Sequence, residues 1–429
     1  MDSIAQLSRT ILLFQTDLEI SNSELILQTL CETTVQLVAT DEINTFEGQV
    51  AVSTAALLMA RSGCKVYIDT PGSSLLGHQP PFTGNTFHQT LQRANHGLMD
   101  EKRIVIGRQN VVCDVEFKFG VGNSIHICNA RRSFAVGWTN WSACISAETI
   151  AIATTHSNWP IGALTAAVLV AAEATKIAGL KLAEHSRNSV HFKQLFNPAS
   201  TAKIVLAPEN TPLHRKCGRF DLISAGAVSN AFLYSLLRIP SVSGNGRVFD
   251  GDVSDWSNMN RNMLLTPMHI GKTKVEAVHH FENGLLIDPV RRHFVRSDIA
   301  DLQSHVAVGV DDIPIRWLLA SANAKWMGVG ATSHFDSMAS SHFQNCACAA
   351  CLHSKDEYLA GATPTIAFSS FLAGLVVAAD FLTSLSGSRF HSHSYYRYMS
   401  ALSGSTLRWP VHPISRCPSQ CNSSRQQAA

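Results

Sequence analysis

Charged residues are scarce in this chain, and neither sign prevails. Asp, Glu, Lys and Arg make up 15% of its 429 residues and leave a formal net charge of +2. That excludes the basic footprint needed to bind nucleic acid or an anionic membrane surface. No long apolar run is free of charge either: stretch 161–178 is interrupted by Glu173 and Lys176, and stretch 363–385 by Asp380. An ionised group at a bilayer centre is costly, so both stretches are expected to be buried core helices with no membrane contact. The opening residues Met1-Asp2-Ser3-Ile4 lack the charged and apolar regions of a signal peptide, which makes the cytoplasm the expected location. The 19 histidines are scattered, with no pair at ligand spacing on a helix. In a reducing compartment the 11 cysteines are not read as disulfides. Cys31, Cys64, Cys113, Cys128 and Cys144 stand singly among apolar residues and read as small core side chains.

What is present is enough apolar residue, 45%, and enough length for two domains with large cores. The most informative stretch is 220–277. An apolar run ends in the small-residue turn Ser224-Ala225-Gly226-Ala227-Val228-Ser229, and a helical pattern follows. A second strand-like segment then ends in Asp250-Gly251-Asp252. Strand, tight turn and helix N-terminus together cradle a phosphate, because free backbone N–H groups and the helix dipole point at the anion. An acid ending the next strand is placed for a ribose hydroxyl. Asn258, Arg261 and Gly271-Lys272-Thr273-Lys274 come next, and their cations suit a polyphosphate about to react.

In that order, these residues resemble the nucleotide site of the ThiF/MoeB/ubiquitin-activating superfamily, whose members adenylate the C-terminal carboxylate of ubiquitin-like proteins with Mg-ATP. The resemblance implies roles residue by residue. Gly226 and Ala227 lie near the phosphates, Asp250 holds the ribose, and Asp252 is the second acid of the pair. Asn258 matches the family Asn, Arg261 the phosphate-contacting Arg, and Lys274, rather than Lys272, the catalytic Lys. Asp311, closing the apolar run 306–310, takes the magnesium role; Asp312 stands where the family usually has Asn, and Arg316 follows at the family spacing. The turn departs from the family pattern Gly-x-Gly-Gly-x-Gly. Only Gly226 survives, and a Cβ at Ser224 or Ala227 would narrow the approach to the phosphates.

The chain reads as the same unit twice. Ala51-Val52-Ser53-Thr54-Ala55 parallels Ala227-Val228-Ser229-Asn230-Ala231, and Leu169-Val170-Ala171-Ala172-Glu173 parallels Val376-Val377-Ala378-Ala379-Asp380. Two such pairs in one order point to related αβ units. The first unit lacks the reactive set: Thr-Pro-Gly follows Asp69, and the turn around Phe46-Glu47-Gly48-Gln49-Val50 carries one Gly and an acid that would repel phosphate. The expected fold is therefore α/β, with two Rossmann-like ThiF-type adenylation units in tandem. Residues 1–200 form the inactive unit and 201–421 the active one, separated by the Pro- and Asn-rich stretch 181–215, with 422–429 a disordered tail. In the family a partner unit lends an Arg from its N-terminal helix; Arg9 reads first as an exposed helix Arg, with that counterpart as the alternative.

Cys346-Ala-Cys348-Ala-Ala-Cys351 and Cys417-Pro-Ser-Gln-Cys421 supply closely spaced pairs. Cys348, Cys351, Cys417 and Cys421 read as a structural tetrathiolate zinc site; a redox-active Cys348–Cys351 pair stays open beside it. Stretch 354–364, where related enzymes carry a thioester-forming Cys, has none. Cys346 and Cys217, the latter beside Arg215 and Lys216, are the remaining candidates, but neither matches the family position and a plain structural thiol is the preferred reading for both. The implied activity is ATP-dependent adenylation of a ubiquitin-like protein. The implied cofactors are ATP, Mg2+ and Zn2+, and the implied partners are that protein and a conjugating enzyme, in a bacterial conjugation pathway such as an antiviral defence system. The two units form a pseudo-dimer within one chain, open to further dimerisation. Two other classes stay open: a silent scaffold that docks a partner, favoured by the altered turn, and a dinucleotide oxidoreductase, which gives no reason for Arg261, Lys274 or the cysteine pairs.

Overall fold

The computed structural model describes residues 3–95, 103–107, 112–120, 130–147, 152–281, 283–310, 312–322, 324–352, 364–386, 393–415, 417 and 421. Helices α1 (Ser3–Gln6), α2 (Ser8–Leu18) and α3 (Ser23–Glu32) lead into the first sheet. Its strands are β1 (Thr34–Val38), β2 (Lys65–Asp69), β3 (Ile104–Ile106), β4 (Val115–Phe119), β5 (Ser133–Trp138), β6 (Ser142–Ser146) and β7 (Thr201–Val205). Between them run α4 (Phe46–Arg61), α5 (Phe87–Asn95), α6 (Ile161–Ala183) and α7 (Ser189–Leu195). The second sheet comprises β8 (Lys216–Ile223), β9 (Ser243–Phe249), β10 (Leu285–Val290), β11 (His305–Val308), β12 (Trp326–Ser333), β13 (Asp336–Phe343), β14 (Tyr395–Ser400) and β15 (Ser405–Pro410). Its helices are α8 (Ala227–Leu237), α9 (Lys274–His279), α10 (Ile313–Ala320) and α11 (Ala367–Ser384).

The strand orders are β3-β2-β1-β4-β5-β6-β7 and β10-β9-β8-β11-β12-β13-β14-β15. In each sheet the first five strands are parallel and the remainder antiparallel. The second sheet thus repeats the first and adds one edge strand. The short sequence parallels fall on equivalent helices, α4 with α8 and α6 with α11. In both sheets the order reverses beside the first strand of the unit, which opens a crevice at the carboxyl ends of the parallel strands. The first sheet takes its last strand from Thr201–Val205, past residue 200 where the Pro- and Asn-rich stretch marks the expected boundary. The passage to the second sheet falls between Val205 and Lys216.

The four apolar helices α4, α6, α8 and α11 pack together and bring the two units into one core. Close approach of α8 and α11 needs Gly374, since a Cβ there would stand 2.2 Å from the Val228 carbonyl oxygen. Across the units Thr54 and Tyr234 share a buried hydrogen bond of 2.9 Å. Among the described residues, α6 and α11 are the two helices long and apolar enough to cross a membrane, and both are enclosed by the rest of the fold. Their charged groups are paired internally, Glu173 with Lys176 and Asp380 with Arg397.

Candidate nucleotide and metal sites

The turn between β8 and α8 lies at the reversal point of the second sheet. Gly226 caps α8 with no side chain bonded to its first turn, so N–H groups of that turn have no acceptor inside the helix. Asp250, 5% exposed just after β9, organises this turn. Its Oδ2 accepts from the Ala225 N–H at 2.7 Å and the Ser224 hydroxyl at 3.4 Å; its Oδ1 accepts from the Asp252 N–H at 2.8 Å. A carboxylate has about four acceptor positions, which leaves capacity for a hydroxyl donor. Ser224 stands at φ 87°, a backbone conformation that glycine reaches more readily than serine. The Ser224 hydroxyl oxygen in turn accepts the Gly226 N–H at 2.9 Å. One donor of the cradle is therefore committed within the turn, a consequence of serine that a glycine would not have. Gly309, just past β11, closes on α8: a Cβ there would stand 2.3 Å from the Ser229 hydroxyl oxygen.

Lys274 opens α9 and places its ammonium 2.6 Å from Asp252 Oδ2. The hydrogen bond from Lys274 is the first cause holding the Asp252 carboxyl below the usual carboxylate range, with burial opposing it. Lys272, two residues earlier, is exposed on the turn. Asn258 closes the short turn Trp256–Asn258, its Oδ1 accepting the Asp255 N–H at 3.0 Å. Arg261 is half-buried, its guanidinium 3.2 Å from Asn260 Oδ1 and 3.4 Å from the Ser257 carbonyl. Helix α1 of the first unit packs on the Trp256–Asn258 turn, and Asn260 donates to Thr10 Oγ1 at 3.4 Å. The half-buried Arg9 therefore lies on a segment that docks beside this loop. Asp311 lies outside the described residues. Arg316 is buried and donates to the Val310 carbonyl through Nε (3.1 Å) and Nη2 (2.8 Å), which fixes the backbone immediately before Asp311. His293, which the sequence reading did not select, stands 3.7 Å from Asp252 over Gly251; no motif marks it.

The equivalent turn of the first unit is filled by its own side chains. Thr45 caps α4 by accepting the Gly48 N–H at 3.0 Å. Glu47, 1% exposed, accepts N–H groups of Ser157 and Trp159 at 2.8 and 3.2 Å. The acid at this turn does more than repel phosphate, because it is the acceptor for a neighbouring loop.

The four sulfurs of Cys348, Cys351, Cys417 and Cys421 lie within 4.8 Å of one another. The closest separations are 3.8 Å for Cys348–Cys351 and 3.2 Å for both Cys348–Cys417 and Cys417–Cys421. Tetrahedral zinc with bonds of about 2.3 Å spaces its sulfurs by about 3.8 Å, so the donor set fits zinc. Burial, followed by the Cys417 contact, pushes the Cys421 thiol up to about 12, and the Cys348 contact, followed by burial, pushes Cys351 up. A divalent ion reverses that by binding the thiolates. Metal analysis of the purified protein is expected to give one zinc per chain. Cys348→Ser should lose it and lower the thermal midpoint by roughly 10 °C; four thiols freely titratable in the native protein would overturn the assignment. Cys217 is a buried structural thiol, the preferred reading of the sequence. It is 1% exposed, and burial pushes it up to about 12 despite its basic neighbours. Cys346 is half-buried next to the cluster. Most of stretch 354–364 lies outside the described residues.

The second sheet, its turn at the reversal point and the acid–lysine pair define a doubly wound α/β unit with a candidate nucleotide site. Residues 224–423, within the second unit, match the ThiF family. No curated protein matches the chain significantly. Solved structures similar to it include PaaA, at 14% identity and TM-score 0.36 over 46% of this chain and 65% of PaaA. E. coli MccB with ATP, at 11% identity and TM-score 0.42, is covered to 97% by 67% of this chain. E. coli MccB with MccA gives 11%, 0.41 and the same coverages. The chain spans about two thirds of the PaaA length, and at these scores the likeness decides nothing about its substrate.

Proposed function

We propose that the second unit binds ATP and adenylates the C-terminal carboxylate of a ubiquitin-like protein, for a bacterial conjugation pathway, with the first unit silent. The supporting observation is the asymmetry of the two turns. Thr45 and Glu47 occupy the first, whereas α8 begins without a capping side chain beside Asp250, Asp252 and Lys274.

In this reading the ribose diol donates to Asp250, and the phosphates lie along the first turn of α8 near Gly226 and Ala227. Asn258 and Arg261 hold the phosphate chain from the opposite side. The substrate carboxylate oxygen forms a bond to the α-phosphorus as the bond to the bridging oxygen of the β-phosphate breaks. Pyrophosphate leaves with that electron pair. Arg261 and Lys274 stabilise the charge developing on the non-bridging oxygens. Magnesium held by Asp311 would neutralise charge on the departing pyrophosphate. Zinc on the four cysteines would be structural. The fusion of a silent and an active unit favours a conjugation pathway with a conjugating enzyme as the next partner.

ATP–pyrophosphate exchange with each candidate ubiquitin-like protein tests this. Partner-dependent exchange that disappears in Asp311→Ala and Arg261→Ala is the expected result. One observation favours a second reading, a non-catalytic docking unit: Ser224 already occupies the Gly226 N–H. A folded protein that binds neither ATP nor NAD(P), and shows no exchange, would establish it; NAD(P) binding would establish the oxidoreductase.

A further inference from the structure

We infer that Arg61, the last residue of α4 in the silent unit, is a positioning residue for the nucleotide loop of the active unit; this rests on the adenylation reading above. Its guanidinium crosses the junction between the units and gathers three carbonyls. Nη1 donates to the carbonyls of Met259 at 2.7 Å and Asn262 at 2.6 Å, and Nη2 to that of Leu265 at 2.7 Å. These carbonyls bracket Arg261 and follow directly on Asn258. The loop is a run of tight turns, with the Arg261 and Asn262 N–H groups on the Asn258 carbonyl and the Leu265 N–H on that of Asn262. Tight turns leave carbonyls pointing away from the loop, and buried ones require donors. A planar guanidinium offers donors in a fixed fork, so it sets the relative directions of three peptide groups together.

The cost of placing the charge there supports a specific purpose. Arg61 is 4% exposed and has no carboxylate partner among the described residues, and burial pushes its pKa down to about 10, so it stays cationic at neutral pH. The loop's own peptide dipoles take the place of water. Arg238, just after α8, is its near-symmetric counterpart, equally buried at 1% exposure. It reaches no carbonyl of the first unit: Nη1 donates to Tyr234 of its own helix at 3.2 Å, and the guanidinium lies 3.2 Å over the Tyr234 ring. Its Nε and Nη2 find no acceptor among the described residues. The clamp therefore runs only from the silent unit to the loop bearing Asn258 and Arg261. This gives the silent unit a role in catalysis without a site of its own.

The test uses the full-length protein with Arg61→Lys, which keeps the charge but not the fork, and Arg238→Lys as a buried control. Arg61→Lys is expected to lower kcat for exchange by roughly 10- to 100-fold, measured well below its thermal midpoint so that the protein is fully folded. Backbone amides of residues 259–265 should lose hydrogen-exchange protection, and Arg238→Lys should change neither reading. Arg61→Met is read the same way if the lysine variant does not fold. Unchanged protection of the loop, or an equal kcat loss in Arg238→Lys, would overturn the proposal. If wild-type protein shows no exchange with any partner, the adenylation reading fails. Hydrogen exchange then still decides whether Arg61 holds the loop.

Discussion

Lys274→Ala is expected to lower ATP–pyrophosphate exchange by roughly 10²- to 10³-fold while leaving the thermal midpoint unchanged. The stability half follows from exposure. Lys274 pairs with an Asp252 side chain that is 53% exposed, and ion pairs of that kind contribute little in water. The activity half follows from where the lysine stands. It opens α9 directly after the Thr273 cap, the end of a helix where a positive charge is disfavoured by the helix dipole. A residue chosen for local stability there would be acidic, as Glu276 in the same turn is. The ammonium is instead held on Asp252, two residues from the turn-organising Asp250. From there it can meet phosphate oxygens as charge builds on them. Initial-rate exchange assays on purified Lys274→Ala, with circular-dichroism melting beside them, read both halves. Exchange within about threefold of wild type would make Lys274 a surface partner of Asp252 and remove it from the proposed mechanism.

Much of this site was legible because it depends on residue types at fixed intervals along one stretch. Asp250, Asp252 and Lys274 are brought together by a single strand–loop–helix segment, so their spacing carries their geometry. The doubling of the fold was legible for a similar reason: α4 and α8, and α6 and α11, bury equivalent faces and so keep similar apolar strings. Other features left no such trace. Ser224 adopts a backbone geometry that glycine reaches more readily, and its hydroxyl then takes a cradle N–H; neither can be read from a small residue in a turn. Arg61 acts on carbonyls, which every residue has, across about 200 positions of sequence. At residue 200 the Pro and Asn cluster resembles a boundary, yet it only turns the chain into β7. That edge strand alternates exposed and buried residues over five positions, too short a pattern to outweigh the punctuation before it. Cys217 kept a reactive alternative open only for want of burial information, since basic neighbours in sequence do not offset a desolvated thiol.

The largest stability effect is expected at Asp380, the acid that argued against a membrane-spanning helix. It sits 1% exposed within α11, with Oδ1 2.9 Å from the Arg397 guanidinium and Oδ2 accepting the Ser341 hydroxyl at 2.9 Å. Arg397, 8% exposed on β14, also donates to the Leu206 carbonyl at 2.8 Å, in the passage between the two sheets. Burial, the largest single influence, would weaken its hold on the proton, but Asp380 and Tyr395 together outweigh it and raise its pKa. Asp380→Leu leaves that guanidinium buried without its carboxylate, a loss of about 3–5 kcal/mol, which denaturant unfolding would measure. Adding Arg397→Met should recover most of it, because two desolvated charges packed as apolar groups are often as stable as the pair. If the single substitution costs under about 1 kcal/mol, water reaches the pair and the helix is less enclosed than the structure shows. The consequence extends to the site, since α11 packs on α8 through Gly374 and α8 carries the phosphate turn. Loosening α11 should therefore weaken ATP binding in the single variant and restore it in the double, a correlation that a lost surface contact would not produce.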